Sequence, residues 1–378
     1  MGDPSSAAGL SHALEAFLNS NPSPLDTQAL KRYLESRPYR LDHSIILPLD
    51  ELERKLDAIN RMKNAFEAEM RDQVFIRVQF AVLLAAPLAL LEQMSNSSAL
   101  LIQHAADFIE CSATTRSPPV SSTGSRSTTR NSTQRDLCRK RDGNKCVLTH
   151  THFPHVCHII PFAANADPRS ITRQRNFIEH LRLYLDPAER NLFMDLQIFS
   201  GPGGADKSWN MLCLSPMLHD WWSRSLFGLK VCGQRPSSQG TKSTLTLQFH
   251  WFQQHKLLGM DPVQATREEI ERMIAVDYTS GGDGCEVTNE ATGRKIQTGD
   301  CIEIEMAHDE IRNMACMLKL VWHLSIAVRL RGQAPVPDNF EDHDQDDRED
   351  AGAFAQVPDP EVLDWLHDVD AQRNLQRK

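Results

Sequence analysis

The sequence predicts an α+β protein in which two short strands and a capped helix form a small core elaborated with further strands and helices. Three observations predict it. Apolar residues recur at helical spacing before residue 111. Between 135 and 335, short strand-like segments alternate with helix caps, and after 336 the chain turns strongly acidic and reads as a disordered tail. The expected organisation is a helical N-terminal region over 1–111, a Ser/Thr-rich linker over 112–134, a main folded domain over 135–335 and the tail over 336–378.

In the N-terminal region, Leu49, Leu52, Leu56, Ile59 and Met62 recur among charges, which predicts a helical hairpin or a short coiled coil. The repeat covers few heptads, so packing into a core is the simpler reading. The most apolar run, residues 77–92, is interrupted by Gln79 and Pro87 and falls short of the roughly 18 residues a membrane span needs. A buried helix is expected there, and no membrane association. Residues 112–134 carry Pro118-Pro119 and almost nothing apolar, the composition of a flexible linker.

The main domain opens on a basic helix that turns at Asp142-Gly143-Asn144 into a short strand over 146–148. After a turn holding His150, His152 and His155, residues 156–160 read as the second strand of a hairpin, stopped by Pro161. His158 then sits on a rigid strand beside a sharp exit, which suits a general base that must be held within about 3 Å of an attacking water. The three turn histidines offer metal ligands, although a polar turn is the simpler account. Downstream, Ser215-Pro216 is an N-cap and N1 pair, so a helix is expected from about Pro216 to Leu226, with His219 and Trp222 one turn apart on one face. Asn210 lies just before it, where an amide can bind backbone groups.

Between these two parts a helix is expected over 171–185, carrying Arg173, Arg175 and Arg182, followed by a Gly201-Pro202-Gly203-Gly204 loop. This insertion suits a grip on a polyanionic backbone as well as it suits a lid or plain packing. Residues 245–251 alternate like a strand. Thr298-Gly299-Asp300 reads as a turn into a strand over 301–304, and residues 309–330 read as a long helix. In the tail, residues 362–366 offer a short partner-binding helix or a solvated segment with an incidental Trp365.

Charge is divided along the chain. The net charge is −9 over 378 residues, yet residues 135–256 hold 16 Lys or Arg against 9 Asp or Glu. From Asp338 onward there are 13 acids against 4 bases. Affinity for phosphates rests on such local charge and not on the chain total, although an ordinary solvated surface would carry the same bases. The nine cysteines show no close CxxC pair, which suits free thiols in a reducing compartment and argues against a zinc ribbon. With no secretion-type start at Met1-Gly2-Asp3-Pro4, an intracellular site, nucleus or cytoplasm, is expected.

At Arg141-Asp142, Cys146 to Thr149, His158 to Phe162, Asn210, Leu214, His219 and Trp222 the chain resembles the HNH endonuclease domain found in many fungal proteins. The resemblance covers about 135–256 closely. It implies a ββα-metal core and hydrolysis of nucleic-acid phosphodiesters, with DNA the expected substrate and one divalent ion, Mg²⁺, Mn²⁺ or Zn²⁺, as cofactor. By the resemblance His158 is the base, Asn210 braces the site and His219 is a metal ligand, with Arg141 or Arg169 to hold the phosphate. In place of the acid or second histidine that many such sites carry before the base stands Cys157, a softer ligand favouring zinc. Asp220 offers an oxygen ligand instead. The alternative is an inactive scaffold of the same fold that binds nucleic acid, or protein partners through the N-terminal helices and the acidic tail.

Overall fold

The computed structural model describes residues 7–35, 51–69, 74–94, 131–160, 184–196, 198, 204–236, 240–252, 262–274 and 285–330. The N-terminal half of the described chain is helical: α1 (Ala7–Asn19), α2 (Pro24–Glu35), α3 (Leu52–Glu69), α4 (Arg77–Ala85), α5 (Leu88–Met94) and α6 (Ser132–Arg141). Then follow β1 (His155–His158), α7 (Pro187–Asp195), a 3₁₀ turn (Ser208–Asn210), β2 (Met211–Leu214) and α8 (Pro216–Ser223). The chain continues through β3 (Phe227–Pro236), β4 (Lys242–Trp251), α9 (Arg267–Ile274), β5 (Thr288–Asn289), β6 (Arg294–Lys295), β7 (Cys301–Ala307) and α10 (His308–Leu330). This mixture of helix and strand is an α+β arrangement.

One apolar core holds most of these elements. Leu52, Leu56, Ile59, Met62 and Phe66 lie on the buried face of α3 at helical spacing. All nine residues of α4 are buried, and Pro87, which cannot donate the next helical hydrogen bond, separates α4 from α5. Helix α4 packs with α10 and α5 with α3; in α10, Asp309 and Glu310 in the first turn and Arg329 in the last suit the helix dipole. Helix α10 is long and apolar enough to cross a membrane, but 78% of its most apolar window is buried. It is the central rod of the core.

The same cluster joins Leu52 through Leu91 to residues 146–330, so the described core runs across the boundary expected near residue 111. Polar contacts cross it too. Val263 N–H donates to Phe75 O at 3.2 Å, and Arg77 pairs with Glu269 in a site where both side chains are buried. Among the described residues, α3 to α5 are therefore walls of the main core and not a separate bundle.

The sheet β3-β4-β7 is antiparallel throughout, with a bulge between Val231 and Gly233. Its apolar side carries Phe227, Phe249 and Trp251 in ring contact, centroids 4.8 to 6.4 Å apart, and Trp222 of α8 meets Phe227 at 5.4 Å with the rings tilted by 51°. The linker up to residue 130, residues 171–183 of the expected insertion helix, Gly201 to Gly203, Arg169 and the acidic tail lie outside the described residues.

Candidate functional site

The site is built on a two-stranded ribbon. Strand β1 pairs antiparallel with β2 in the register His155↔Leu214, Val156↔Cys213, Cys157↔Leu212 and His158↔Met211. The expected partner of β1 was the segment 146–148. That segment instead joins the other edge of β2, where Val147 N–H donates to Cys213 O at 2.9 Å, while Lys145 makes a single bridge to His152. A strand so short carries no register of its own, and the ribbon is closed by a residue stretch more than fifty positions downstream.

Alternation gives the ribbon two faces. Val156, Met211 and Cys213 form a small apolar cluster with Cys138 of α6, whereas Cys157, Leu212 and Leu214 enter the main core. His158 shares the parity of Val156. His155 shares that of Cys157, the side on which α8 packs.

Asn210 ties the ribbon together where β1 ends. Its Oδ1 accepts from Ile160 N–H at 2.9 Å and its Nδ2 donates to Ile160 O and Ala205 O, each at 2.9 Å. Its own backbone carbonyl accepts from Ile159 N–H at 2.8 Å. The side chain is fully buried, so each of these bonds replaces one that water would have made. Five residues on, Ser215 Oγ accepts from Leu218 N–H at 3.3 Å and Pro216 opens α8. The helix stops at Ser223, three residues before the expected Leu226, because Ser225 adopts a left-handed φ of 50°. Arg329 of α10 caps that end by donating to Ser225 O and, at 2.6 Å, to Arg224 O.

His158 is buried, and its Nε2 lies 3.1 Å from Asp206 Oδ1. The other carboxylate oxygen accepts from the backbone N–H of Asn131, which begins α6. Asp206 is 4% exposed and lies in the loop entering the 3₁₀ turn. Sequence reasoning missed it. Its only local signal is an acid after a run of glycines, 48 residues from its partner.

His219 meets a different histidine. His219 Nδ1 and His155 Nδ1 are 3.4 Å apart, with ring centroids 5.6 Å apart and planes at 86°. His219 is buried and His155 half-buried. The structure therefore places His158 and His219 against opposite faces of the ribbon. His155, expected to be part of a polar turn, is brought to His219.

The other expected metal ligands lie elsewhere. Cys157 is buried in the main core, where desolvation pushes its thiol well above the ordinary range, and its Sγ points to His158 O at 3.5 Å. Asp220, exposed on the outer side of α8, pairs with Arg224 one turn on at 3.2 Å. These positions follow from strand and helix periodicity, which turn neighbours in sequence to different sides. Among the described residues, the one trio of potential ligand atoms within 4.8 Å of one another is Cys138, Asp142 and Cys213. Asp142 there is already satisfied, since Arg141 donates to its two oxygens at 2.6 and 2.8 Å and Cys213 N–H donates at 2.9 Å. A hydrogen bond to Cys213, together with burial, holds the Cys138 thiol well above its ordinary range.

Arg141, expected to hold a substrate phosphate, is part of this buried knot. It also donates to Ser208 O at 2.8 Å and Met211 O at 2.7 Å, and its side chain is 8% exposed. Its guanidinium is spent on bracing the 3₁₀ turn and β2 against α6. The solvent-facing part of the site is the loop before β1, where His150 and His152 are exposed and Phe153 is 87% exposed with φ of 59°. Partial burial and the neighbouring Lys145 hold the His150 imidazole below its ordinary value.

A family model described as HNH endonuclease matches residues 146–230, from the segment that edges β2 through α8 into β3. No curated protein and no solved structure matches the chain.

Proposed function

We propose, from the HNH endonuclease domain at residues 146–230, that the chain hydrolyses phosphodiester bonds of DNA. The observation that carries this reading is the His158–Asp206 pair, held at the end of β1 by the Asn210 clamp. With Nε2–H turned to the carboxylate, the basic lone pair of His158 lies on Nδ1, a buried atom that would take the proton from a water admitted with the substrate. Asp206 fixes that tautomer and stabilises the imidazolium that results. Asn210 keeps the strand exit rigid, so that the base does not drift from its water. A divalent metal, which His219 would hold, would polarise the scissile phosphate and stabilise the leaving oxygen; with His158 across the ribbon from His219, this requires a substrate that reaches both faces.

A second reading, an interaction scaffold without turnover, draws on the burial of His158 and on its place across the ribbon from His219. In the nuclease reading, and in a scaffold that binds nucleic acid and not protein, the basic 135–256 segment meets the nucleic acid. Protein partners are assigned to the N-terminal helices and the acidic tail, and the site of action to the nucleus or cytoplasm.

The test is incubation of the full chain with supercoiled plasmid and Mg²⁺, Mn²⁺ or Zn²⁺. Nicking that disappears in His158→Ala supports hydrolysis. Plasmid left intact with every metal, but retained by the protein in a gel shift, supports the scaffold.

A further inference from the structure

The ion at this site can be assigned to a chemical class from the donors that would hold it. We propose that His155 and His219 form a two-imidazole seat for a tetrahedral, nitrogen-preferring divalent cation of the zinc type. The proposal rests on the nuclease reading for the role of the ion, and on geometry alone for the seat.

The spacing of the two Nδ1 atoms is the first argument. Zinc–imidazole bonds are about 2.0 to 2.1 Å, so two nitrogens on a tetrahedral ion stand about 3.3 to 3.4 Å apart. His155 Nδ1 and His219 Nδ1 are 3.4 Å apart. An octahedral ion with bonds of the same length would need its neighbouring ligands only about 2.9 Å apart, and magnesium prefers oxygen donors and retained water. The same 3.4 Å lies at the outer edge of hydrogen-bond distance between the two rings, one ring donating and the other accepting in the metal-free protein. The gap matches the span of two nitrogens on one tetrahedral ion, which would take the place of the shared proton.

Mounting is the second argument. His219 sits on α8, fixed at its start by the Ser215 cap and at its end by Arg329. His155 stands on β1, paired with Leu214 of β2, and the two rings approach at 86°, so neither blocks the other's lone pair. The two nitrogens come from separate, packed elements, and little conformational freedom is lost on binding. His219 is buried and His155 half-buried, so the remaining coordination positions open on the His155 side to water or a phosphate oxygen.

The seat differs from the ligand set read from the sequence. It replaces Cys157 and Asp220 by His155, three residues before the base and on the opposite face of the strand. It also differs from the Cys138, Asp142 and Cys213 trio, whose carboxylate is already held by Arg141.

Calorimetric titration of EDTA-stripped full-length protein with zinc, and separately with magnesium, tests the assignment without reference to cleavage. Cobalt(II) absorption provides a second readout. One zinc per chain is expected, with the strong visible bands of four-coordinate cobalt. His155→Ala should weaken zinc binding by more than about tenfold while the metal-free circular dichroism stays that of wild type. His219→Asn, closer in shape to the buried ring, should weaken it at least as much. Zinc binding unchanged in both variants, or lost in Cys138→Ser instead, overturns the seat, as does a six-coordinate cobalt spectrum. Zinc seated as described with no nicking of plasmid would sink the nuclease reading and leave the seat standing. Nicking in magnesium without zinc binding would do the reverse.

Discussion

Asn210 and Ile160 are joined twice by the same side chain, the amide oxygen accepting from Ile160 N–H and the amide nitrogen donating to Ile160 O, both at 2.9 Å. A side chain here does the work of a strand neighbour. It continues the ladder of β1 past the point where β2 has ended.

Asn210→Ala should cost about 3 kcal/mol or more, since it leaves one buried N–H and two buried carbonyls without their partner. Asn210→Asp should fare no better, because a carboxylate would face two carbonyl oxygens. Urea unfolding followed by tryptophan fluorescence reads the loss. A midpoint close to wild type in the alanine variant would remove the clamp from the account.

Asp206→Asn keeps an acceptor for Asn131 N–H but removes the charge beside His158. The protein should fold, with nicking slowed by roughly 10²-fold, within the range expected for a disturbed general base. Initial rates on supercoiled plasmid measure it. A rate equal to wild type would mean that Asp206 only packs.

Arg141→Ala should destabilise the fold by about 3 kcal/mol or more, because it strands the Asp142 carboxylate in a buried site and frees two backbone carbonyls. Denaturant unfolding tests this directly. Intact stability with weakened DNA binding would return Arg141 to the phosphate-holding role.

Gly228 of β3 lies under two rings, where a Cβ would stand 2.6 Å from Phe252 and 3.1 Å from Trp322. Gly228→Ala is expected to cost about 1 to 3 kcal/mol as Phe252 is pushed aside. A lowered melting temperature, regained in the double variant Gly228→Ala with Phe252→Leu, would locate the strain in that contact.

His323, whose Nδ1–H donates to Ala85 O at 2.9 Å, ties α10 to the end of α4. Burial, ahead of the nearby lysines, holds its imidazole at about 4 against 6.5 in the unfolded chain. Between those values the unfolded chain takes up a proton that the folded chain refuses. The stability linked to this residue is therefore whole above pH 6.5 and is lost as pH falls toward 4, by up to about 3 kcal/mol. His323→Gln, which retains a donor for Ala85, should show a flatter stability profile across that window in chemical denaturation.

Elements that announce themselves through local chemistry were legible in the sequence. Ser215-Pro216 marks the start of α8, the alternation from Leu245 to Trp251 marks β4, and the apolar period after Asp309 marks α10. The partner of β1 was not legible, because pairing is decided by which edge the folded chain brings near, and four residues of strand do not encode that choice. For the same reason the charge of Arg141 pointed to a phosphate while its fixed fork met Asp142 and two carbonyls. Asp206 and His155 were hidden by distance and by company. Asp206 lies 48 residues from His158, and His155 lies among histidines that a turn explains equally well.

Arg329 reaches from the last turn of α10 to the carbonyls that end α8, while Ser208 of the 3₁₀ turn touches Glu310 at the other end of the same rod. The two ends of a helix that lies a hundred residues further along the chain thus hold the C-terminal part of the segment 146–230, at Ser208 and at Arg224-Ser225. It is not portable. Grafted into another protein or expressed alone, it would carry its histidines but not the scaffold that aims them, so any exchange of this domain between chains must move α10 with it.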